Sequence, residues 1–218
     1  NSKFINDCIE SLNNQTYKNI EIIFFDDNSQ DNSLEVINKY KNIKIIENKI
    51  QTKFGSFNQM NAFKESIQSS TGEIIFLLDS DDFYKKNKVK EFIKIYKKNN
   101  QINFIQDLPV IYAKRKQKIG NLNNVLSFWP YLAPESFISF RKNFFINFKK
   151  KNKNFENNFK DVWFGFRLGV FAYFKDRSFY SLNKNLTIYK SYGESKKYVL
   201  FNSNWFNRRL NSFYYLKK

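Results

Sequence analysis

Three short apolar strands, separated by helical patterns, constrain the fold of this chain most strongly. The strands are "IEIIFF" (20–25), "IKIIE" (43–47) and "EIIFLL" (73–78). Amphipathic helical patterns precede, separate and follow them, at 2–15, 32–41, 57–70 and 85–98. Near-continuous apolar strands alternating with helices are typical of a sheet that is buried on both faces. The first half of the chain therefore predicts an α/β fold of the Rossmann-like type, a mostly parallel sheet flanked by helices.

The second half, residues 101–218, has a less regular pattern. It predicts strands in "NFIQDLPVIYAKR" (103–115), broken at Pro109, and in "SFISFRK" (136–142), where Ser136 and Phe137 would open a strand facing the site. A long helix is predicted to begin near Asp161, and an aromatic-rich helix over 199–216. No linker rich in glycine, proline or serine separates the two halves. We therefore expect a single domain over 1–218, with a regular half (1–100) and an irregular half (101–218).

The composition excludes several kinds of site. The chain has no histidine and one cysteine, Cys8. An internal disulfide, a zinc site built on cysteine or histidine, and a catalytic histidine are therefore excluded. Acid–base or metal chemistry must come from carboxylates, lysines, tyrosines or hydroxyl groups.

The chain is strongly basic, with a formal net charge of +17. Such a charge raises nucleic-acid binding as an alternative function, but the basic residues are scattered, and we expect no nucleic-acid partner. The sequence has no apolar run of membrane-spanning length and no signal-peptide pattern, so we expect a cytoplasmic protein. The aromatic and basic C-terminal helix leaves three readings open. It could contact an anionic membrane peripherally, at the inner face, close a dimer, or pack on the core.

Acidic residues follow two of the apolar strands. Asp26 and Asp27 end the first strand, and Asp79, Asp81 and Asp82 follow the third. Ligands of open α/β sheets bind beyond the carboxyl ends of the strands, where these clusters would meet. Residues two apart in an extended chain point the same way, and hard cations such as Mg²⁺ and Mn²⁺ prefer such carboxylate oxygens. The alternative is a solvated turn without a ligand.

Two long stretches resemble a known family. "LNNQTYKNIEIIFFDDNSQDNS" (12–33), followed by "TGEIIFLLDSDDFYKKNKV" (71–89), is similar to the nucleotide-sugar glycosyltransferases of family 2, which have the GT-A fold. The resemblance covers roughly residues 2–95. It implies that 1–100 bind the nucleotide sugar and 101–218 the acceptor.

The resemblance also implies roles for individual residues. Asp27 would accept a hydrogen bond from the base of a uridine- or similar nucleotide diphospho-sugar. Asp79 would lie near the ribose and the metal, and Asp81 would ligate Mg²⁺ or Mn²⁺ at the diphosphate. Ser80 and Asn61 are further candidates for nucleotide-sugar binding. A surface helix explains Asn61 and its neighbour Gln59 equally well.

A third stretch, "FKDVWFGFRL" (159–168), resembles the segment of the family that carries the catalytic base. Asp161 would deprotonate the acceptor hydroxyl, so that transfer inverts the anomeric centre. Arg167 is expected to orient the segment through an ion pair. The alternative role for Asp161 is the cap of the following helix. Lys190, Lys196 and Lys197 are candidates to lie near the diphosphate, and Trp129 and Tyr131 to stack on a sugar.

The apolar strand with which the family usually begins does not precede the first helix of this sequence. We expect a sheet without that strand to expose backbone and apolar surface. Three functions follow as hypotheses. The first is an inverting, metal-dependent transferase that moves a sugar to a hydroxyl of a glycan or glycolipid, as in building a surface glycan. The others are a catalytically silent GT-A-like fold and a basic nucleic-acid-binding protein.

Overall fold

The first half of the chain forms the predicted alternation of helices and strands. The structure is a computed structural model and describes residues 2–48, 51–52, 54–110, 131–152, 159–190 and 202–217. In chain order the elements are α1 (Ser2–Asn13), β1 (Ile22–Asp26), α2 (Ser33–Ile37), β2 (Ile43–Glu47), α3 (Gly55–Ser69), β3 (Ile74–Phe76), β4 (Phe83–Tyr84) and α4 (Lys88–Lys98).

The second half contributes shorter strands and two longer helices. It contains β5 (Phe104–Gln106), a 3₁₀ turn (Glu135–Phe137), β6 (Ile138–Arg141), α5 (Lys142–Lys151), α6 (Phe164–Val170) leading into a π-helical turn (Phe171–Lys175), β7 (Phe179–Ser181), β8 (Thr187–Ile188) and α7 (Ser203–Leu216). No helix among the described residues is both long and apolar enough to span a bilayer.

The strands form three sheets among the described residues, and their pairs are both parallel and antiparallel, where a mostly parallel sheet was expected. β1 pairs with β2 in parallel, and β5 pairs with β7 in parallel. The four-stranded sheet has the order β3-β6-β5-β7, and β6 is antiparallel to both of its neighbours. A strand's own residues do not state its direction. β6 starts at the end of the sheet where β5 finishes, with Ile138 opposite Gln106, and therefore runs back along it.

Alternate residues of the central strands point into two apolar layers. Phe104 joins a layer rich in phenylalanine beneath α3, α5 and α6, whereas Ile105 joins Phe92 and Tyr96 of α4 on the other face. Phe140 of β6 also enters the first layer and is fully buried. Burying one such ring contributes about 1.5–3 kcal/mol, so these layers fix the position of β6 and of the turn before it.

Two expectations for the second half change, and others fall outside the described residues. The helix predicted to begin near Asp161 begins at Phe164, and Asp161 lies in the preceding turn. The C-terminal helix is present, from Ser203. The predicted strand beyond Val110, together with Trp129, Lys196 and Lys197, lies outside the described residues.

Candidate active site

A cleft of about 1680 Å³ runs between β1 and β3. β1 pairs with β2, and β3 pairs with β6; the described residues contain no strand between β1 and β3. Apolar side chains of both strands and of α1 and α3 line the cleft, as expected for a sheet open at this point. At one end, the Glu21 carboxylate accepts hydrogen bonds from the Thr71 amide (2.8 Å) and hydroxyl (3.0 Å). The two strands thus begin together, and the acidic turns that follow them both line the cleft; the part they line is its acidic end.

Asp79 lies at the centre of this acidic end. Its Oδ1 accepts a hydrogen bond from Gln59 Nε2 at 2.9 Å, and its amide donates to Ser136 Oγ at 3.0 Å. Burial raises the pKa of Asp79 to about 8, and the charges of Glu135, Asp82 and Asp81 add to the rise. The Asp79 carboxyl is therefore held where its ionisation is costly unless a cation offsets it.

Asp81 and Asp82 extend the acidic turn. Asp81 is partly exposed and lines the cleft, and burial raises its pKa. Asp82 is fully buried; its Oδ1 accepts from the Lys190 amide at 2.7 Å. Its Oδ2 has no hydrogen-bond partner in the described part of the chain, and burial raises its pKa to about 6.

The acidic turn meets the chemical requirements of a divalent cation, although its geometry is not preset for one. Hard cations take carboxylate oxygens, and a positive charge would relieve the desolvation and repulsion that raise these pKa values. Asp79 and Asp81, which both line the cleft, are the residues that would hold it. No three acidic or cysteine side chains of the described segments already surround a common point. The donor set fits Mg²⁺ or Mn²⁺ by charge and by ligand type.

The predicted nucleotide-binding residues separate into two groups. Asp27 lines the cleft at the end of β1, and its Oδ1 accepts from Asn48 Nδ2 at 2.7 Å. Ser80 also lines the cleft. Asn61 lies on α3 but is not among the residues that line the cleft, whereas Gln59, two residues earlier, lines it and contacts Asp79. Gln59 therefore takes the place expected for Asn61.

Asp161 lies behind the cleft wall. Its Oδ1 is 3.4 Å from Arg208 Nη2, and Arg208 lines the cleft. The same guanidinium donates to Ser56 Oγ at 3.0 Å and stands 5.2 Å from the centre of the Trp163 ring. Trp163 is the N-cap residue of α6, so the alternative role of Asp161 as helix cap is wrong. Asp161 is thus tied to the rim of the cleft by an arginine from α7.

The family model for glycosyl transferase family 2 matches residues 1–178. The chain belongs to this family. It is 35% identical over 105 residues to the UDP-Glc:alpha-D-GlcNAc-diphosphoundecaprenol beta-1,3-glucosyltransferase WfaP of Escherichia coli, a match covering 48% of this chain and 37% of that protein. It is 34% identical over 101 residues to the poly(ribitol-phosphate) beta-glucosyltransferase of Bacillus spizizenii, covering 44% and 15%. The chain thus spans less than half the length of these relatives.

Solved structures share the fold of this chain. The S. aureus TarS fragment 1–349, in complex with UDP, has a TM-score of 0.63 at 17% identity, covering 91% of this chain and 60% of that one. The mannosyltransferase PcManGT of Pyrobaculum calidifontis, in complex with GDP-Man and Mn²⁺, has a TM-score of 0.51 at 13% identity, covering 67% and 43%. The predicted GT-A fold and the membership of glycosyl transferase family 2 are confirmed.

Glu135 is a site residue that the sequence did not reveal. It is 7% exposed, lines the cleft, and its Oε1 accepts from the Gly165 amide at 3.1 Å. Burial raises the pKa of Glu135. A Cβ on Gly165 would lie 2.6 Å from Ile138 Cδ1, so a larger residue there would force the Ile138 side chain to shift. A glutamate between Pro134 and Ser136 gives no local signal, since its importance comes from contacts with a segment thirty residues later.

Lys88 belongs to a second unexpected group, beneath the acidic turn. It is fully buried, and its Nζ donates to Asp107 Oδ1 at 2.9 Å and to the Ser136 carbonyl at 2.7 Å. Asp107, also fully buried, accepts from the Thr187 hydroxyl at 3.0 Å. Because the Ser136 hydroxyl accepts from the Asp79 amide, this ion pair supports the turn from below. The signal in the sequence was a lysine on the apolar stripe of α4, which the amphipathic pattern alone did not explain.

Two cationic residues take positions near their predicted ones. Arg167 orients the segment before α6, but its Nε and Nη2 donate to the Val162 and Phe159 carbonyls, at 2.9 and 2.6 Å, where an ion pair was expected. Lys190 lines the cleft, and its Nζ lies 3.7 Å from Asp7 Oδ2. Tyr131 also lines the cleft, as its predicted stacking role requires.

Proposed function

We propose that this chain is an inverting, metal-dependent glycosyltransferase. It moves a sugar from a nucleotide diphospho-sugar, a UDP-sugar, to a hydroxyl of a glycan or glycolipid. One observation carries the proposal: in a chain of glycosyl transferase family 2, Asp27, Asp79 and Asp81 line one cleft, and Arg208 ties Asp161 to its rim. A catalytically silent fold would not require this convergence.

The donor occupies the end of the cleft between the two acidic turns. Asp27 accepts a hydrogen bond from the base, and Ser80 and Gln59 contact the nucleotide sugar from the cleft wall. Asn61, which is not among the residues that line the cleft, contacts the donor only if the donor extends beyond the cleft wall. The choice of UDP is supported by the solved TarS structures with UDP and with UDP-GlcNAc, and by the UDP-Glc donor in the name of the E. coli relative.

Asp81 and Asp79 hold Mg²⁺ or Mn²⁺ in this proposal. When bound, the cation stabilises the negative charge of the departing diphosphate. The protein's own contribution is to hold the carboxylates in place: Gln59 fixes one Asp79 oxygen, and Ser136 fixes the Asp79 amide. The Mn²⁺ of the mannosyltransferase structure supports the choice of ion.

Asp161 serves as the general base. It accepts the proton of the acceptor hydroxyl, whose oxygen forms the new bond to the anomeric carbon as the bond to the diphosphate breaks on the opposite face. A base of this kind accelerates the reaction by about 10²–10⁴-fold. Arg208, which lines the cleft, holds the Asp161 carboxylate by a 3.4 Å contact, and the hydrogen bond from the Gly165 amide to Glu135 fixes the segment that follows Asp161.

The acceptor approaches from the side built by residues 101–218. Tyr131 and Trp163 line the cleft there and offer aromatic faces for stacking on a sugar ring. The names of the E. coli and B. spizizenii relatives describe a diphosphoundecaprenol-linked sugar and a poly(ribitol phosphate) as acceptors. These support a hydroxyl of a glycan or glycolipid as the acceptor class.

Calorimetric titration with UDP, with and without Mn²⁺, tests donor binding. We expect Mn²⁺-dependent binding that Asp81→Ala removes and that Glu35→Gln, an exposed carboxylate on α2, leaves intact. Absence of UDP binding in the presence of Mn²⁺ would contradict the proposal. Salt-sensitive RNA or DNA binding that survives Asp81→Ala would favour the nucleic-acid alternative instead.

The base assignment is tested by Asp161→Asn with a labelled UDP-sugar. We expect turnover to fall by about 10²–10⁴-fold while UDP binding is retained, because the amide cannot accept the proton. Turnover close to that of the unaltered protein would refute Asp161 as the base. Binding of UDP without turnover in the unaltered protein, across a panel of acceptors, would favour the catalytically silent fold.

A further inference from the structure

We propose that the outer face of α7 docks on an anionic lipid surface. Four large apolar side chains on this helix are about half exposed: Phe206 (54%), Leu210 (50%), Phe213 (46%) and Tyr214 (49%). They follow a spacing of i, i+4, i+7 and i+8, which places them on one side of a helix. The outer face of α7, meaning these four residues, is therefore a continuous apolar stripe.

The opposite side of α7 is fixed to the protein, so the outer face cannot turn inward. Arg208 contacts Ser56 and Asp161, and Ser212 is buried. The Tyr215 ring packs against Phe166, with ring centres 6.3 Å apart. One helix thus has an anchored side that helps to build the site and an outer face directed away from it.

The charges around the outer face favour an anionic partner over a second copy of the chain. Arg209 and Lys217 are exposed beside the stripe, and α7 has no acidic residue. The whole chain carries a formal net charge of +17, so two copies repel each other. A negatively charged bilayer attracts the same charges and also accepts the apolar stripe, as it does for other interfacial helices.

The position of α7 gives this contact a geometric consequence. Its anchored side reaches Asp161 through Arg208, so the bilayer and the site lie on opposite sides of one helix. That separation is about 10 Å, the width of a helix with its side chains. A hydroxyl on the headgroup of a lipid-linked acceptor would lie at about that distance from the bilayer. Vesicle binding itself requires neither a donor nor sugar transfer.

Vesicle flotation tests the proposal with the polypeptide of residues 1–218 and no nucleotide. We expect binding to vesicles of phosphatidylcholine with phosphatidylglycerol, weaker binding to phosphatidylcholine alone, and loss of the difference in high salt. The triple variant Phe206→Ser, Leu210→Ser, Phe213→Ser should bind the vesicles at least about tenfold more weakly, because the inserted apolar area is lost. Circular dichroism serves to check that the triple variant is folded.

The matched control is a variant that removes exposed apolar side chains elsewhere. Ile146 (42% exposed) and Phe174 (36% exposed) lie outside α7, and Ile146→Ser, Phe174→Ser should bind vesicles as the unaltered chain does. Equal binding of the triple variant, or equal binding to both vesicle types, would overturn the proposal. So would a dimer, seen by sedimentation velocity, that the triple variant dissociates. Calorimetry with UDP tests the proposed sugar transfer independently. A negative result in vesicle binding would therefore not contradict that proposal.

Discussion

Replacement of Lys88 by methionine tests the support beneath the acidic turn. Lys88 and Asp107 form an ion pair with both side chains 0% exposed, and Lys88 also donates to the Ser136 carbonyl. Removing one partner of a buried pair leaves the other charge uncompensated, at a cost of about 3–5 kcal/mol. For a chain of this size each kcal/mol lowers the Tm by about 2–4 °C, so we expect a fall of about 6–20 °C.

The assay is urea unfolding followed by circular dichroism, with two comparison variants. Lys94→Met removes a lysine of the same helix whose side chain is 64% exposed, and it should change the unfolding free energy by less than about 1 kcal/mol. The double variant Lys88→Met, Asp107→Leu should recover much of the loss, because replacing both buried charges by apolar groups is often neutral. If Lys88→Met lies within about 1 kcal/mol of the unaltered chain, the buried pair does not hold the turn.

Three further results are expected. In EDTA the unfolding free energy should fall as the pH rises from about 5 to about 8, because only the unfolded chain loses the Asp79 proton in that window; Asp79→Asn should flatten the slope, and an unchanged slope would contradict the raised pKa. Glu135→Gln should make this fall smaller and end it at a lower pH in the same titration, since the Glu135 charge helps to raise the pKa of Asp79. Gly165→Ala should cost about 1–3 kcal/mol in urea unfolding by overpacking against Ile138, whereas Gly72→Ala, whose added Cβ would meet its nearest neighbour at 3.7 Å, serves as the near-neutral control.

The parts of the fold that depend on neighbouring residues could be predicted. β2 occupies the predicted range, Ile43–Glu47, because its apolar side chains and flanking polar residues are local signals. Asp27, Asp79 and Asp81, which follow β1 and β3, line one cleft, and the convergence of the two acidic turns stays a prediction from the rule that strands of one α/β unit end at the same edge. The family motifs themselves lie on these same short segments, which explains why the resemblance was confirmed.

The parts that depend on distant residues could not be predicted. The antiparallel direction of β6 is set by where the chain returns to the sheet, next to Gln106, and not by the residues of β6. Glu135 gains its position from Gly165, and Lys88 from Asp107 and Ser136. The members of each pair are far apart in sequence, and nothing in a single sequence indicates that they will be in contact.

The central place of β6 has a consequence for how the chain folds. β6 is the strand that joins β3 to β5, so residues 138–141 must be present before the four-stranded sheet can close. During synthesis, the edges of β3 and β5 that pair with β6 stay unpaired until residues 138–141 have been made. Pairing over such a sequence distance is slow because the loop must close first. A fragment ending near residue 100 would retain β3 with an unpaired edge, which is prone to association. The two halves of the chain, 1–100 and 101–218, therefore share one four-stranded sheet.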